Sequence, residues 1–157
     1  MDDFLMDEQF LKAIVTLAKD AQHSIWISTF KAEVTTKRRG ARLKELFDVL
    51  VEKARIGVDV RILMNKRDNR GHIPEANAYA LRFLGATKVK IRHLPGARLC
   101  HAKIFIVDEI TAICGSHNLS VRSCHNNFEV SCRIREYGRV EQLVDVYEWQ
   151  WLNAKKG

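Results

Sequence analysis

The sequence predicts an α/β protein in which helices flank both faces of a mixed, largely parallel β-sheet. From residue 7 to residue 92, three helical segments alternate with three short apolar strands, and this β-α-β order is typical of helices packed on a parallel sheet. A short antiparallel hairpin follows, which makes the predicted sheet mixed. The 157 residues contain no repeat, linker or low-complexity segment, so we expect a single domain over 1–157.

Each predicted helix shows apolar residues at helical spacing between identifiable ends. The first covers residues 7–21, and the second follows Gly40 and ends at Gly57. The third begins at Pro74 and ends at Gly85. The last helix, from about Arg139 to Asn153, is apolar on almost every side, so we expect more than one surface to cover it.

Short apolar or alternating runs predict strands between these helices, at residues 24–28, 58–63, 88–92 and 128–134. Residues two apart on a strand share a face. In the last of these strands, Phe128, Val130, Cys132 and Ile134 are therefore expected to face inward, with Glu129 on the other side.

The hairpin at 100–120 gathers polar residues that a structural strand does not need. His101 and Lys103 share a face, whereas Asp108 points the other way. Residues 108–110 predict a tight turn, and Thr111 begins the return strand. If Val107 or Asp108 pairs with Thr111, residues 116–118 lie opposite 101–103. An imidazole, an ammonium, a hydroxyl and an amide would then meet at one end, a set suited to binding and attacking an oxyanion such as phosphate.

These residues carry a family resemblance. The pattern His101-x-Lys103-x4-Asp108, followed after six residues by Gly115-Ser116-x-Asn118, resembles the H-x-K-x4-D-x6-G-S-x-N signature of the phospholipase D superfamily, with every defining position filled. The segment 57–63 is also similar to the superfamily's core, and the likeness extends over roughly residues 20–155. It implies the phospholipase D-like fold. Among members of the superfamily, the small single-motif nucleases have the most similar organisation.

The resemblance also implies a phosphodiesterase that needs no metal and no cofactor. One histidine must attack phosphorus while another protonates the leaving oxygen, and this chain has a single H-x-K motif. We therefore expect a homodimer in which two copies of His101 flank one phosphate. One copy forms a covalent phosphohistidine, Lys103 and Asn118 hold the nonbridging oxygens, and Ser116 adds a hydrogen bond.

Three further residues are expected to have supporting roles. Glu129 matches the family's acidic residue, and it is expected to accept a hydrogen bond from the far nitrogen of His101. Asp108, excluded from the polar cluster by its face of the strand, is assigned a structural role at the turn, and Gly115 a structural role in the motif.

The charge of the chain favours a polyanionic partner. Lys and Arg total 26 against 19 Asp and Glu, a net charge of +7, which attracts nucleic acid or anionic lipid. The basic residues cluster in two loops, and His117 is a further candidate contact. The expected nucleic-acid contacts are Lys37, Arg38, Arg39, Arg42, Lys66, Arg67, Arg70 and His117. DNA, or RNA in its place, is the expected partner.

The composition argues against a membrane-spanning protein, a secreted protein and a zinc site. No apolar run approaches the roughly 20 residues that span a bilayer, and the acidic N-terminus is unlike a signal peptide, so we expect a cytoplasmic protein without a membrane anchor. The four cysteines lack C-x-x-C spacing, which favours reduced thiols over a zinc site at Cys124 and His125.

The leading hypothesis is a DNA endonuclease; the alternatives are a phospholipase D-type lipid phosphodiesterase and a non-catalytic nucleic-acid-binding module.

Overall fold

The computed structural model describes residues 3–35, 38–65, 75–95 and 99–156, and it confirms a mixed sheet with helices on both faces. The strands are β1 Asp3–Met6, β2 Ser24–Thr29, β3 Asp59–Met64, β4 Lys90–His93, β5 Ile104–Val107, β6 Thr111–Gly115, β7 Val130–Ile134 and β8 Lys155–Lys156. The helices are α1 Glu8–Asp20, α2 Ala41–Arg55, α3 Glu75–Gly85, α4 Val121–His125 and α5 Tyr137–Leu152.

The strand order is β1-β7-β6-β5-β2-β3-β4-β8. In the described residues the parallel pairing is confined to β2, β3 and β4. The other pairings are antiparallel. They include those of the two edge strands, β1 with β7 and β8 with β4, which the sequence pattern did not indicate. The short helix α4, which Ser120 caps by accepting a hydrogen bond from Ser123 N at 3.3 Å, was also not predicted.

The sheet separates two apolar layers. Phe105 and Val107 of β5 belong to the larger one, beneath α1, α2 and α3, while Ile104 and Ile106 belong to the layer beneath α5. This confirms the predicted alternation along β5. Helix α5 buries Tyr147 among the aromatic rings of its layer. None of the helices in the described ranges has the length and apolar character needed to cross a membrane.

The prediction that the apolar face of β7 is buried is wrong at its first residues. Phe128 is 81% exposed and Val130 is 36% exposed. Helix α5 packs on β5 and β6 but leaves the outer strands uncovered. On β1, Phe4 and Met6 are exposed on the same face, since Met6 lies directly opposite Val130. We call Phe4, Met6, Phe128 and Val130 the apolar face.

The β5–β6 turn is fastened to the start of β2 by one carboxylate. Asp108 accepts hydrogen bonds from the backbone N–H groups of Gln22 at 2.9 Å, His23 at 2.7 Å and Ser24 at 2.8 Å. Asp108 and Glu109 both have left-handed backbone angles, with φ of 52° and 58°, as a type I′ turn requires, and Ile110 N donates to Val107 O at 3.1 Å. Residues 108–110 form the loop, and Val107 pairs with Thr111, one of the two registers that the sequence predicted.

We expect Asp108→Asn to destabilise the protein by about 2 kcal/mol at neutral pH, because hydrogen bonds to a charged acceptor are lost. Burial acts to raise the pKa of the Asp108 carboxyl, but the three backbone N–H groups outweigh it and hold that pKa below its usual range. A lowered native pKa stabilises the fold above the unfolded-state value of about 3.9, and this contribution disappears as the pH falls through the native value. Denaturant unfolding between about pH 6 and pH 2 should therefore show a smaller acid-induced loss in the variant than in the wild type. Parallel curves would contradict this account of the turn.

Candidate active site

The two residues of the H-x-K pattern lie just before β5, at the end of the hairpin remote from Asp108. The strand begins at Ile104, three residues later than predicted, but the register continues, since Gly115 N donates to Lys103 O at 3.3 Å. Gly115 passes so close to β7 that a Cβ atom there would lie 2.4 Å from Ser131 Cα. Only glycine permits this approach to β7. Continued past Lys103 and Gly115, the register of the hairpin places residues 116–118 beside 100–102.

His101 is exposed, and its ring contacts Phe30 at a centroid distance of 5.1 Å. The ammonium of Lys103 lies 3.0 Å from His101 Nδ1 and donates to His101 O at 2.6 Å. Because an ammonium can only donate, Nδ1 must accept and the neutral ring carries its proton on Nε2 in this arrangement. Burial lowers the pKa of the Lys103 ammonium, and the negative charge of the Glu129 carboxylate opposes this shift.

Asn118 and Ser116 lie on the return side of the hairpin. Asn118 Oδ1 accepts from Lys31 N at 3.2 Å, which orients the amide so that its donor nitrogen points away from that bond. Ser116 Oγ donates to Val130 O at 3.3 Å and accepts from Val130 N at 3.2 Å. The structure thus brings the imidazole, ammonium, hydroxyl and amide to one end of the hairpin.

The hydrogen bond expected between Glu129 and His101 is not among the contacts of these two described residues. Glu129 Oε1 instead accepts from Ser123 Oγ at 3.2 Å and from Asn127 Nδ2 at 3.0 Å. Burial acts to raise the pKa of the Glu129 carboxyl, but hydrogen bonds from Ser116, Asn127 and Ser123 keep it below its usual range. The carboxylate is charged and held by small polar groups, while Lys103 occupies the imidazole nitrogen.

The prediction that His117 contacts nucleic acid is wrong. Its ring is 1% exposed, stacks on Phe10 with centroids 4.3 Å apart, and places Nδ1 2.8 Å from Ser131 Oγ. Position 117 takes the face of the hairpin opposite to that of Ser116, so its side chain enters the layer beneath α1.

Two buried asparagines, which sequence reasoning missed, fix the surroundings of His101. Asn65, directly after β3, accepts from Cys100 N at 2.7 Å and donates to Cys100 O at 2.9 Å. Asn77 of α3 accepts from Ala32 N at 3.0 Å and donates to Phe30 O at 3.1 Å and Asn65 O at 3.0 Å. Together they join the loop after β2 to the residue preceding His101. Asn65 could have been found from the sequence, because polar residues at the carboxyl end of a parallel strand often lie at a binding site. Nothing in the sequence around Asn77 indicates its role.

The basic residues expected to bind nucleic acid fall into two groups. Lys37, Lys66, Arg67 and Arg70 lie outside the described residues. Arg38, Arg39 and Arg42 lie together on one side of a cleft between α1, α2 and α4. Within the described parts of the chain, no group of three or more His, Cys, Asp or Glu side chains converges as a metal site would require.

The buried His117 ring predicts a specific pH dependence. Burial lowers the pKa of His117, opposed by the charges of Glu129 and Asp7 and by the backbone of Asp7. Below about pH 6.5 the unfolded chain therefore takes up a proton that the native ring resists, so stability is lost as the pH falls from that value towards the native pKa. In His117→Phe, which retains a ring beside Phe10, the decrease in unfolding free energy between about pH 7 and pH 5 should be smaller. An unchanged decrease would show that the ring is protonated equally in both states.

Comparison with known proteins agrees with this geometry. Residues 14–151 match the family model described as the cardiolipin synthase, PLD-like domain. Cardiolipin synthase 2 of Bacillus cereus is 33% identical over 131 residues, which cover 82% of this chain and 23% of that protein. Cardiolipin synthase A of Pseudomonas aeruginosa is 43% identical over 75 residues, covering 47% of this chain and 15% of that protein. The chain thus spans about a quarter or less of the length of these curated relatives.

Solved structures show the same fold at lower identity. The crystal structure of Nuc, a phospholipase D family member from Salmonella typhimurium, has a TM-score of 0.80 at 18% identity and covers 100% of this chain and 99% of its own. NucT from Helicobacter pylori has a TM-score of 0.78 at 14% identity, with the same coverage. The matched family model, the motif residues and the topology agree, and the chain belongs to the phospholipase D-like family.

Proposed function

We propose that this chain is the catalytic domain of a metal-independent phosphodiesterase, and that its substrate is DNA, which it cuts as an endonuclease. The observation that carries the proposal is the convergence of His101, Lys103 and Asn118 at one end of the hairpin. A phosphodiester resists hydrolysis because its anionic oxygens repel nucleophiles and its alkoxide is a poor leaving group. Imidazole supplies the nucleophile and the acid, and the ammonium and amide supply donors for the oxygens.

The reaction proceeds in two displacements. His101 Nε2 attacks phosphorus, a P–N bond forms, and the P–O bond to the leaving group breaks as a second His101 gives that oxygen a proton. The second ring then takes a proton from water, whose oxygen attacks phosphorus and breaks the P–N bond. Each proton taken up is returned, so the enzyme ends in its starting state.

Substrate must rearrange the contacts around His101. A nonbridging phosphate oxygen is a stronger partner for the Lys103 ammonium than a neutral ring nitrogen, so Lys103 moves to the phosphate. This frees Nδ1 to carry the proton and leaves Nε2 as the nucleophile. The charged carboxylate of Glu129 is then available to accept a hydrogen bond from the Nδ1–H group, which is the role that the family resemblance implies.

The second His101 comes from a second copy of the chain. The apolar face adjoins the site, because Val130 of that face is hydrogen-bonded to Ser116 through both backbone groups. Phe128 and Phe4 are 81% and 75% exposed, and apolar side chains of this size are stabilised by a partner surface. Packing two copies about a twofold axis at this face repeats one polar cluster opposite the other.

The sequence relatives favour a second candidate, a lipid phosphodiesterase or phosphatidyl transferase. The relatives with the higher identity are named cardiolipin synthase, and the matched family model bears the same name. The phosphohistidine chemistry is common to both candidates; an alcohol in place of water in the second displacement yields a transferase.

A cleavage assay separates these candidates. We expect the wild type to cut plasmid and single-stranded DNA in excess EDTA, and His101→Ala to lose at least about a thousandfold in rate because it lacks the nucleophile. Phospholipid vesicles with a fluorescent headgroup, assayed in parallel, report the lipid reaction. Headgroup release with intact DNA would reject the nuclease and support the lipid enzyme, and loss of DNA cleavage in EDTA would reject the metal-independent mechanism.

Mixing experiments test the shared site. If both copies of His101 serve one phosphate, an equimolar mixture of wild type and His101→Ala, after exchange of subunits, should retain about a quarter of the wild-type activity, whereas independent sites retain about half. Phe128→Glu should convert dimer to monomer in sedimentation equilibrium and lower activity. Ile110→Glu, at a residue 64% exposed at the far end of the hairpin, is the matched control and should do neither. A fully active monomer would overturn the mechanism.

A further inference from the structure

Three arginines lie around an open cleft between α1, α2 and α4. The cleft has a volume of about 820 Å³, and its wall includes Arg38, Arg39, Arg42, His125 and Asn126. Arg38 and Arg39 belong to the single 3₁₀ turn that precedes α2, and Arg42 to the first turn of that helix. All three side chains are exposed.

The positive charge of this cleft is not compensated by its acidic residues. Glu45 is paired with Lys19 at 2.5 Å, and Glu8 lies 3.1 Å from His125 Nδ1. No ion pair within the described ranges involves Arg38, Arg39 or Arg42. Three guanidinium groups with their donors directed to solvent form a site for anionic oxygens, and the planar guanidinium matches phosphate in particular.

A second cleft adjoins the first and includes residues that contact the candidate active site. It has a volume of about 550 Å³ and shares Asn126 with the first. Its wall includes Lys31 and Asn127, each hydrogen-bonded to a site residue: Lys31 N to Asn118 Oδ1 at 3.2 Å, and Asn127 Nδ2 to Glu129 Oε1 at 3.0 Å. Arg122 adds a positive charge, and the carboxylate of Glu33 is engaged by Val121 N at 3.1 Å.

We propose that these two clefts form one continuous path for the phosphate backbone of a nucleic-acid strand. The strand runs from the scissile phosphate at His101, past Lys31 and Arg122, to Arg38, Arg39 and Arg42. The inference rests on the proposed nuclease function and assigns its substrate class. Among the described residues, the side chains that line the arginine cleft are charged or polar apart from Ala41, and repeated phosphates suit its spaced cations.

The test is a triple neutralisation, Arg38→Gln with Arg39→Gln and Arg42→Gln. Fluorescence anisotropy with labelled oligo(dT) of about 20 nucleotides should show at least about tenfold weaker binding at low salt. The slope of log affinity against log salt should become shallower by about 2, because each lost phosphate contact contributes about 0.7 for a single strand. Cleavage should lose most of its preference for this oligonucleotide over a dinucleotide, which is too short to reach the arginines.

The matched control removes three positive charges elsewhere, with Lys88→Gln, Lys155→Gln and Lys156→Gln at exposed positions before β4 and in β8. Its binding and salt slope should remain close to those of the wild type, and thermal unfolding should show that both triple variants are folded. Equal losses in the two variants, or no loss in the arginine variant, would overturn the path.

Measuring binding and cleavage separately distinguishes an error in this inference from an error in the proposed function. If the wild type binds the oligonucleotide through the arginines but does not cut it, the path stands and the nuclease assignment falls. If instead the arginine variant loses binding to phosphatidylglycerol vesicles and retains oligonucleotide binding, the cleft recognises lipid headgroups and the path is rejected.

Discussion

The anchoring of the β5–β6 turn by Asp108 is the constraint on which the site depends. Its carboxylate holds three consecutive backbone N–H groups at the start of β2, so the turn cannot slip along the neighbouring strand. A shift of one residue in the hairpin would move every side chain to the opposite face. His101 and Lys103 would then point beneath α5, away from Asn118. The aspartate of the signature therefore acts on the site through register, from the far end of the hairpin.

Register places the polar groups opposite one another, and two further features bring them close. The absence of a side chain at Gly115 lets β6 approach β7, where a Cβ atom would meet backbone at 2.4 Å. The buried pair Asn65 and Asn77 then joins three chain segments that no sheet ladder connects. Their bonds to Ala32 N, Cys100 N and Cys100 O are buried, and a buried backbone group left without a partner costs about 1–3 kcal/mol. The two asparagines thus stabilise the irregular backbone that precedes His101.

The sequence alone predicts those features of the fold that depend on local periodicity and turn chemistry. It predicted the helices of the first half and the alternation of β5, and it narrowed the register of the hairpin to two, because each follows from neighbouring residues. It did not predict β1 or β8, whose segments of four and two residues become strands only by pairing with distant edges. Nor did it predict that Phe128 is exposed or that His117 is buried, because both depend on which helix covers which strand. The bond expected for Glu129 failed for a similar reason, since Ser123 belongs to a helix that the sequence pattern did not indicate.

The chemistry of the hairpin does not by itself select a substrate, since a phosphohistidine is formed equally from a nucleic acid or a phospholipid. The curated relatives are named for lipid synthesis, and the similar structures include Nuc and NucT. Selection must therefore come from groups outside the signature, where a substrate extends beyond its reacting phosphate. An acyl chain requires an extended apolar surface near the reacting phosphate, and the apolar face meets the site at Ser116, through Val130. If a second copy of the chain covers that face, the cationic clefts remain for the rest of the substrate, and repeated phosphates are the chemistry that matches them.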